Sequence, residues 1–274
     1  MKVKIGVCQM KIEADKLLNL KTAERGINKA VKKGSDIVVL PEMFNCPYDN
    51  SVFRDYAENQ NDSETLKFLS KQAQDNNVCI VGGSIPELDK GKIYNTSFVF
   101  DKNGEIIAKH RKVHLFDIDV KGGVRFKESD TLTAGNKITV FNTVFGKIGL
   151  CICYDIRFPE LSRLMAQLGA KIIIIPAAFN MTTGPMHWEM LFKVRALDNQ
   201  VFMVGAAPAR SEEASYVAYG NSILTDPWGR VVNKLGSKEE VMVCEIDLSL
   251  INQVREQLPI LKHRRLDIYE LKSL

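Results

Sequence analysis

Short apolar runs rich in β-branched residues alternate with segments of helical spacing along the chain, and this alternation restricts the fold more than any other feature. Residues 3–10 are predicted to form a strand, and residues 17–31 a helix that Gly34 would end. Residues 37–40 are apolar throughout, as in a strand buried on both faces. This pattern indicates a βαβ unit and favours an α/β fold over all-α or all-β folds.

The rest of the chain repeats this pattern. Gly, Ser and Pro do not cluster into a linker anywhere, so we expect one domain over residues 1–274. The two halves suggest two sheets packed face to face with helices outside. The further elements predicted are helices at 63–76, 159–168 and 188–197 and after 249, strands at 78–81, 145–153, 171–176, 201–206 and 241–246, and hairpin turns at 101–104 and 226–229.

Composition excludes some classes of protein. Hydrophobic residues make up 45% and charged residues 26%, as in a globular protein that buries a core. The 37 Lys and Arg residues exceed the 33 Asp and Glu residues by only 4, which argues against nucleic-acid or membrane-surface partners. No apolar stretch approaches the roughly 18 residues of a transmembrane helix, and no signal peptide is recognisable. We therefore expect a cytoplasmic protein.

The six cysteines do not form a dense disulfide framework, and we expect them to be reduced. Cys151 and Cys153 are spaced C-x-C, without the C-x-x-C spacing or the second pair of a zinc site. Cys151 lies deeper in the apolar run and is predicted to belong to the core. We expect no metal and no organic cofactor, although a redox or metal-binding protein that uses this pair remains an alternative.

Reactive side chains follow apolar strands at three places, where open α/β sheets usually build their sites. Glu42 follows the predicted strand 37–40 and a proline that stops it. A basic segment, 108–114, contains Lys112 and a His-x-x-x-His pair without the glutamate of a zinc protease motif. Cys153 lies at a strand-to-helix transition, where backbone N–H groups can stabilise a thiolate or an oxyanion.

These three segments, 40–42 (Leu-Pro-Glu), 110–112 (His-Arg-Lys) and 153–160 (Cys-Tyr-Asp-Ile-Arg-Phe-Pro-Glu), resemble in this order the signatures of the nitrilase superfamily of carbon–nitrogen hydrolases. The resemblance implies an α/β fold of the four-layer α-β-β-α sandwich type, assembled as a homodimer or higher homo-oligomer. Further segments are similar to its omega-amidase branch, which removes ammonia from the distal amide of α-keto dicarboxylic acid monoamides such as α-ketoglutaramate and α-ketosuccinamate. They are residues 82–87, 94–96, 114–120, 178–185 and 187–189.

The resemblance also implies roles for catalytic residues. Cys153 would be the nucleophile, and Glu42 would take the thiol proton and later activate water. Lys112 would stabilise the oxyanion together with a backbone N–H near Cys153. Glu128 matches the second active-site glutamate of the family, which would orient the lysine or help to transfer the proton. Hydrolysis of an amide needs this set, because an amide is a poor electrophile with a poor leaving group.

The substrate-binding residues implied are Arg157, Thr183, Phe179 and Tyr48. A planar guanidinium suits an α-keto carboxylate, so Arg157 would bind that group with help from Thr183. Phe179 and Tyr48 would line the cavity.

Several alternatives remain open. Arg157 could instead form an ion pair with Asp155 or Glu160, which would give it a structural role. The substrate could be deaminated glutathione or an N-carbamoyl amine, as in sister branches of the superfamily. The chain could also be a binding module that has lost catalysis, but the presence of glutamate, lysine and cysteine together argues against that.

Overall fold

The computed structural model describes residues 1–122 and 125–273. Its α-helices are α1 (Lys16–Lys32), α2 (Glu64–Asp75), α3 (Pro159–Gln167), α4 (Gly184–Asn199) and α5 (Ser249–Gln257), and short 3₁₀ helices lie at Gln60–Asp62, Glu128–Asp130 and Cys153–Arg157. Its strands are β1 (Lys2–Gln9), β2 (Ile37–Val39), β3 (Cys79–Val81), β4 (Ile85–Asp89), β5 (Lys92–Phe100), β6 (Ile106–Arg111), β7 (Asp117–Asp119), β8 (Arg125–Lys127), β9 (Thr139–Thr143), β10 (Gly146–Leu150), β11 (Ile172–Pro176), β12 (Phe202–Ala206), β13 (Ile223–Thr225), β14 (Val231–Lys234) and β15 (Glu240–Asp247).

Most strands belong to two mixed sheets. The first runs in the order β15-β1-β2-β3-β5-β4, with β6 also paired to β5, and the second runs β14-β13-β12-β11-β10-β9. In each sheet a parallel centre, β1-β2-β3 or β10-β11-β12, is flanked by antiparallel strands. The predicted mixture of parallel and antiparallel pairing is confirmed, and so is the hairpin of β5 and β6.

The two sheets pack face to face, and helices cover their outer faces. Successive strand residues point to opposite faces, so each central strand contributes to two cores. In β2, Val39 packs in the core between the sheets while Val38 packs under α1 and α2. In β11, Ile174 belongs to the same inner core and Ile173 packs under α3 and α4. This arrangement is the predicted four-layer α-β-β-α sandwich.

Local sequence signals explain several element ends. Asp15 caps α1 by accepting the backbone N–H groups of Leu17 and Leu18. Gly34, just beyond the end of that helix, has a φ of +82°, the conformation that the prediction of a glycine cap requires. No helix in the described part of the chain is both long and apolar enough to cross a bilayer.

The structure corrects some predicted boundaries. The strand predicted at 145–153 ends at Leu150, and Cys153 opens a short 3₁₀ helix, Cys153–Arg157. The strand ends early because the carboxylate of Asp155 accepts the backbone N–H of Ile152 and turns the chain there. The helix predicted at 188–197 begins earlier, at Gly184, because Pro185 is tolerated in a first helical turn. The final helix begins at Ser249 itself.

Candidate active site

Glu42 reaches the interior through a sharp turn that follows β2. Its side chain is buried, and one oxygen, Oε2, accepts the backbone N–H of Ala178 at 2.7 Å. The turn packs closely against Gly83, where an added Cβ would lie 2.0 Å from the carbonyl oxygen of Pro41. Only glycine fits at this point, and its φ of +54° also favours glycine.

Lys112 follows β6 directly and is fully buried. Its ammonium donates to Oε1 of Glu42 and to Oε1 of Glu128, each at 2.9 Å, and to the hydroxyl of Tyr48 at 3.3 Å. Burial alone would lower the pKa of the Lys112 ammonium, but the carboxylates of Glu128 and Glu42 outweigh it and hold the pKa above its ordinary value. Lys112 is therefore a fixed positive charge between two carboxylates.

Glu128 begins a short 3₁₀ helix and is buried. Its Oε1 accepts from the hydroxyl of Tyr48 at 2.6 Å and from Lys112, while its Oε2 accepts the backbone N–H of Phe116 at 2.6 Å. The glutamate thus holds the lysine in place. Tyr48 was predicted to line the cavity, which it does, but its hydroxyl also bonds this charged cluster.

Burial raises the pKa of the Glu42 carboxyl above its ordinary value, and the carboxylate of Glu128 adds to this effect while Lys112 opposes it. A carboxylate whose pKa moves toward neutrality is a better general base. Asn95 supports the same oxygen that Lys112 binds, because its Nδ2 donates to Oε1 of Glu42 at 2.8 Å. Glu42 therefore combines a raised pKa with a fixed orientation.

Cys153 has a φ of +47°, an uncommon conformation for a residue other than glycine, and the residue is 3% exposed. Burial raises the pKa of its thiol well above the ordinary value, and Glu42 raises it further while Lys112 lowers it. The resting thiol is therefore protonated, and it needs a nearby base to become a nucleophile.

Arg157, at the end of the same 3₁₀ helix, has no acidic partner in residues 1–122 and 125–273. Its guanidinium carbon lies 4.8 Å from the ring centroid of Phe179 and 5.5 Å from that of Tyr154. Its Nη1 donates to Nδ1 of His187 at 3.1 Å, and its buried Nε has no hydrogen-bond partner within those residues. The alternative of an ion pair with a neighbouring acid is therefore wrong.

Asp155, one of those candidate acids, is bound instead by His110 and His114. Thr183 occupies the N-cap position of α4, but its side chain does not cap the helix. Its hydroxyl donates instead to Oδ1 of Asn180 at 3.2 Å. The structure thus brings Phe179 to Arg157 but shows no hydrogen bond between Thr183 and Arg157. The predicted help of Thr183 in binding a carboxylate stays a prediction.

A cavity of about 360 Å³ opens onto Glu42, Tyr48 and Ala178, and its size is sufficient for a small-molecule substrate. Cys153, Arg157 and Phe179 are not among its lining residues, so the predicted place of Phe179 in the substrate cavity stays a prediction. Its outer wall comes from the loops at 11–14 and 208–218. Tyr216 closes one side, where its hydroxyl donates to the carbonyl of Ala178 at 2.6 Å and its ring lies 4.6 Å from that of Tyr48. Sequence analysis missed Tyr216, because its loop carries no motif, and it gave Asn95 no role.

The described residues include no group of three or more histidines, cysteines and acids placed to hold a metal ion. All six cysteines are free. Cys151 is fully buried in the core beneath α3 and α4, which confirms its predicted place in the core. Cys153 packs in the same apolar cluster, but its thiol also lies beside the charged groups of Glu42 and Lys112.

The chain is similar to known proteins over almost its whole length. Residues 4–256 match the carbon–nitrogen hydrolase family. The chain is 49% identical over 272 residues to omega-amidase NIT2-A of Xenopus laevis, covering 99% of this chain and 98% of the relative. It is 47% identical over 270 residues to omega-amidase NIT2 of Mus musculus, covering 98% of each. The crystal structure of Nit3 from Saccharomyces cerevisiae, a member of branch 10 of the nitrilase superfamily, superposes with a TM-score of 0.89 at 44% identity, covering 96% of this chain and 97% of that one.

The predicted family is therefore confirmed over almost the whole chain, and the similar relatives include proteins named omega-amidase. This chain belongs to the carbon–nitrogen hydrolase family of the nitrilase superfamily, and it is a hydrolase that acts on amide carbon–nitrogen bonds.

Proposed function

We propose that the protein is an omega-amidase that hydrolyses the distal amide of small α-keto dicarboxylic acid monoamides, such as α-ketoglutaramate and α-ketosuccinamate, through a thioester on Cys153. The products are the dicarboxylate and ammonia. Similarity to relatives named omega-amidase supports the substrate class. The observation that carries the proposal is the cationic Arg157, which lies four residues after Cys153 without an acidic partner in the described part of the chain.

In the first step, the sulfur of Cys153 attacks the amide carbon as Glu42 takes the thiol proton. The raised pKa of the Cys153 thiol means that a thiolate hardly forms before the substrate arrives. The raised pKa of Glu42 makes this proton transfer less uphill, because the pKa of the acceptor moves toward that of the donor. Proton transfer and attack therefore occur together on the bound amide.

Lys112 stabilises the oxyanion that forms. Its three N–H groups point at Glu42, Glu128 and Tyr48, and the contact with Tyr48 is the longest at 3.3 Å. The substrate oxygen can take the hydrogen of this weakest bond, because the Tyr48 hydroxyl keeps its 2.6 Å bond to Glu128. Protonation of Glu42 also removes a negative charge from beside the ammonium, which strengthens its field at the oxyanion.

Collapse of the tetrahedral intermediate breaks the carbon–nitrogen bond. Glu42 returns its proton to the nitrogen, and ammonia leaves the thioester behind. Water then attacks the thioester carbon while Glu42 accepts a proton from it, and the second collapse restores the thiol. Over the cycle one amide and one water become one carboxylic acid and one ammonia, and no oxidant or cofactor is consumed.

Arg157 selects the substrate by its carboxylate. Its guanidinium is held over the ring of Phe179 and bonded to His187, so its orientation is fixed before the substrate binds. Burial lowers the pKa of His187, and the neighbouring Arg157 lowers it further, which favours the neutral ring that accepts from the guanidinium. The carboxylate of an anionic substrate supplies the acidic partner that Arg157 lacks among the residues that the structure describes.

The test is ammonia release from a panel of amides at equal concentration. We expect kcat/KM to be highest for α-ketoglutaramate and α-ketosuccinamate, and lower for deaminated glutathione and for an N-carbamoyl amine. Faster hydrolysis of either of the latter two would assign the protein to a sister specificity. A cytoplasmic location, assembly into a homodimer or higher homo-oligomer, and independence from metals and organic cofactors stay predictions from the sequence.

A further inference from the structure

Asp155 lies two residues after Cys153, is fully buried, and accepts hydrogen bonds from two separate segments of the site. Its Oδ2 accepts the backbone N–H of Ile152 at 3.0 Å and bonds Nε2 of His110 at 3.1 Å. Its Oδ1 accepts the backbone N–H of His114 at 2.9 Å and bonds Nδ1 of the same residue at 2.8 Å. One carboxylate therefore joins the cysteine turn to the lysine segment.

These bonds keep the carboxylate ionised. Burial alone would raise the pKa of Asp155, but the hydrogen bonds from His110, His114 and Ile152 outweigh it and hold the pKa well below its ordinary value. An ionised carboxylate only accepts hydrogen bonds, so Nε2 of His110 and Nδ1 of His114 carry hydrogens. The Asp155 carboxylate thus accepts four charge-assisted hydrogen bonds and has no lone pair left to accept one from the substrate.

The network fixes both chemical groups that must meet at the substrate. His110 and His114 lie two residues before and two residues after Lys112, so the lysine is at the middle of a segment pinned at both ends. The ring of His114 also stacks on Phe158, with centroids 3.6 Å apart and planes 9° from parallel. On the other side, Ile152 leads directly into the strained backbone of Cys153.

We propose that Asp155 is a positioning residue that sets the separation between the Lys112 ammonium and the Cys153 thiol. It acts through these two residues and does not touch the substrate. The inference rests on the proposed roles of Lys112 and Cys153. It assigns to the buried Asp155, His110 and His114 a function in turnover beyond the stability of the fold.

The main variant is Asp155→Asn, which keeps the shape of the side chain but replaces one acceptor by a donor and removes the charge. A displacement of about 1 Å in a catalytic group can cost about 100-fold in rate, so we expect kcat to fall about 100-fold. KM should stay within about threefold, because Arg157 is held from α4 through the bond between Arg195 and its backbone carbonyl.

Asp226→Asn is the matched control. Asp226 is another buried carboxylate, and it accepts the backbone N–H groups of Trp228 and Arg230 in a turn of the second sheet. A purely structural role predicts that both variants lower Tm and leave kcat unchanged at a temperature where both are folded. The proposal predicts a loss of kcat in Asp155→Asn alone.

The second readout is the rate at which iodoacetamide alkylates Cys153, followed by peptide mass spectrometry at one fixed pH. A displaced lysine stabilises the thiolate less, and one pKa unit corresponds to a tenfold change in thiolate population. We expect alkylation to slow about tenfold in Asp155→Asn and to be unchanged in Asp226→Asn. A structural role would leave this rate unaltered in the folded protein.

His114→Phe provides a second variant in case Asp155→Asn does not fold. It keeps an aromatic ring on Phe158 but removes one of the bonds to Asp155, and we expect kcat to fall about tenfold. Wild-type kcat and alkylation rate in whichever variant folds would overturn the proposal. Cys153→Ala and Lys112→Met, measured alongside, distinguish failure of the positioning role from failure of the proposed mechanism. If both are inactive while Asp155→Asn and His114→Phe are normal, only the positioning role is wrong. If either keeps turnover, the proposed mechanism itself is wrong.

Discussion

Replacing Arg157 by lysine tests substrate selection by charge and shape. Lysine keeps the positive charge but loses the planar pair of donors, the contact with the Phe179 ring and the bond to His187. A hydrogen bond to a charged group contributes about 2 kcal/mol, so kcat/KM for α-ketoglutaramate should fall roughly 30-fold. Arg157 is only half-buried, so we expect its hydrogen bond to contribute a free energy in the middle of the range for charged groups and not at its upper end.

The assay is ammonia release from α-ketoglutaramate and from a short-chain amide without a carboxylate. The amide without a carboxylate should be hydrolysed equally by wild type and variant, because Arg157 then has no partner to lose. Arg163→Lys is a matched control, since Arg163 is another half-buried arginine and lines a different surface pocket near the C-terminus. Equal losses on both substrates would show that Arg157 supports the local structure, and would refute its role in selecting the carboxylate.

Three further outcomes are expected from the same geometry. Glu42→Gln keeps the shape of the side chain but removes the base, so kcat should fall by about 10² to 10⁴, and an unchanged kcat would exclude Glu42 as the base. In the wild type, kcat/KM should decline as falling pH protonates Glu42, whose pKa lies above its ordinary value. Tyr48→Phe removes the hydroxyl that bonds Glu128 and Lys112, so steady-state kinetics should show about a tenfold lower kcat with little change in KM. A change in KM alone would mean that Tyr48 only lines the cavity. Dialysis against EDTA should leave turnover unchanged, and a loss that zinc restores would favour the metal-binding alternative.

The layers of the fold could be predicted because they depend on repeated local patterns. Apolar runs such as 172–175 must be covered on both faces, and their alternation with helical segments leaves few arrangements besides two sheets between layers of helices. The end of the strand before Cys153 could not be predicted in this way. It depends on Asp155, whose partners His110 and His114 lie more than forty positions earlier in the chain.

The catalytic residues could be proposed because each follows a strand in a recognisable motif. Their hydrogen bonds could not, because partners such as Asn95, Tyr48 and the Ala178 backbone come from separate loops and strands. The same limit applies to Arg157, for which sequence proximity to Asp155 suggested an ion pair. Only the three-dimensional structure shows that this acid is already saturated by other donors.

The central claim is that hydrolysis passes through a thioester on Cys153. The most direct measurement is mass spectrometry of the intact protein, quenched in acid during turnover of a slow amide substrate, followed by peptide mapping. We expect an added mass equal to the acyl group on the peptide that contains Cys153, assigned to that residue and not to Cys151 by fragmentation, and no adduct or turnover in Cys153→Ala. An acyl group on Cys151, or near-normal turnover by Cys153→Ala, would contradict the account.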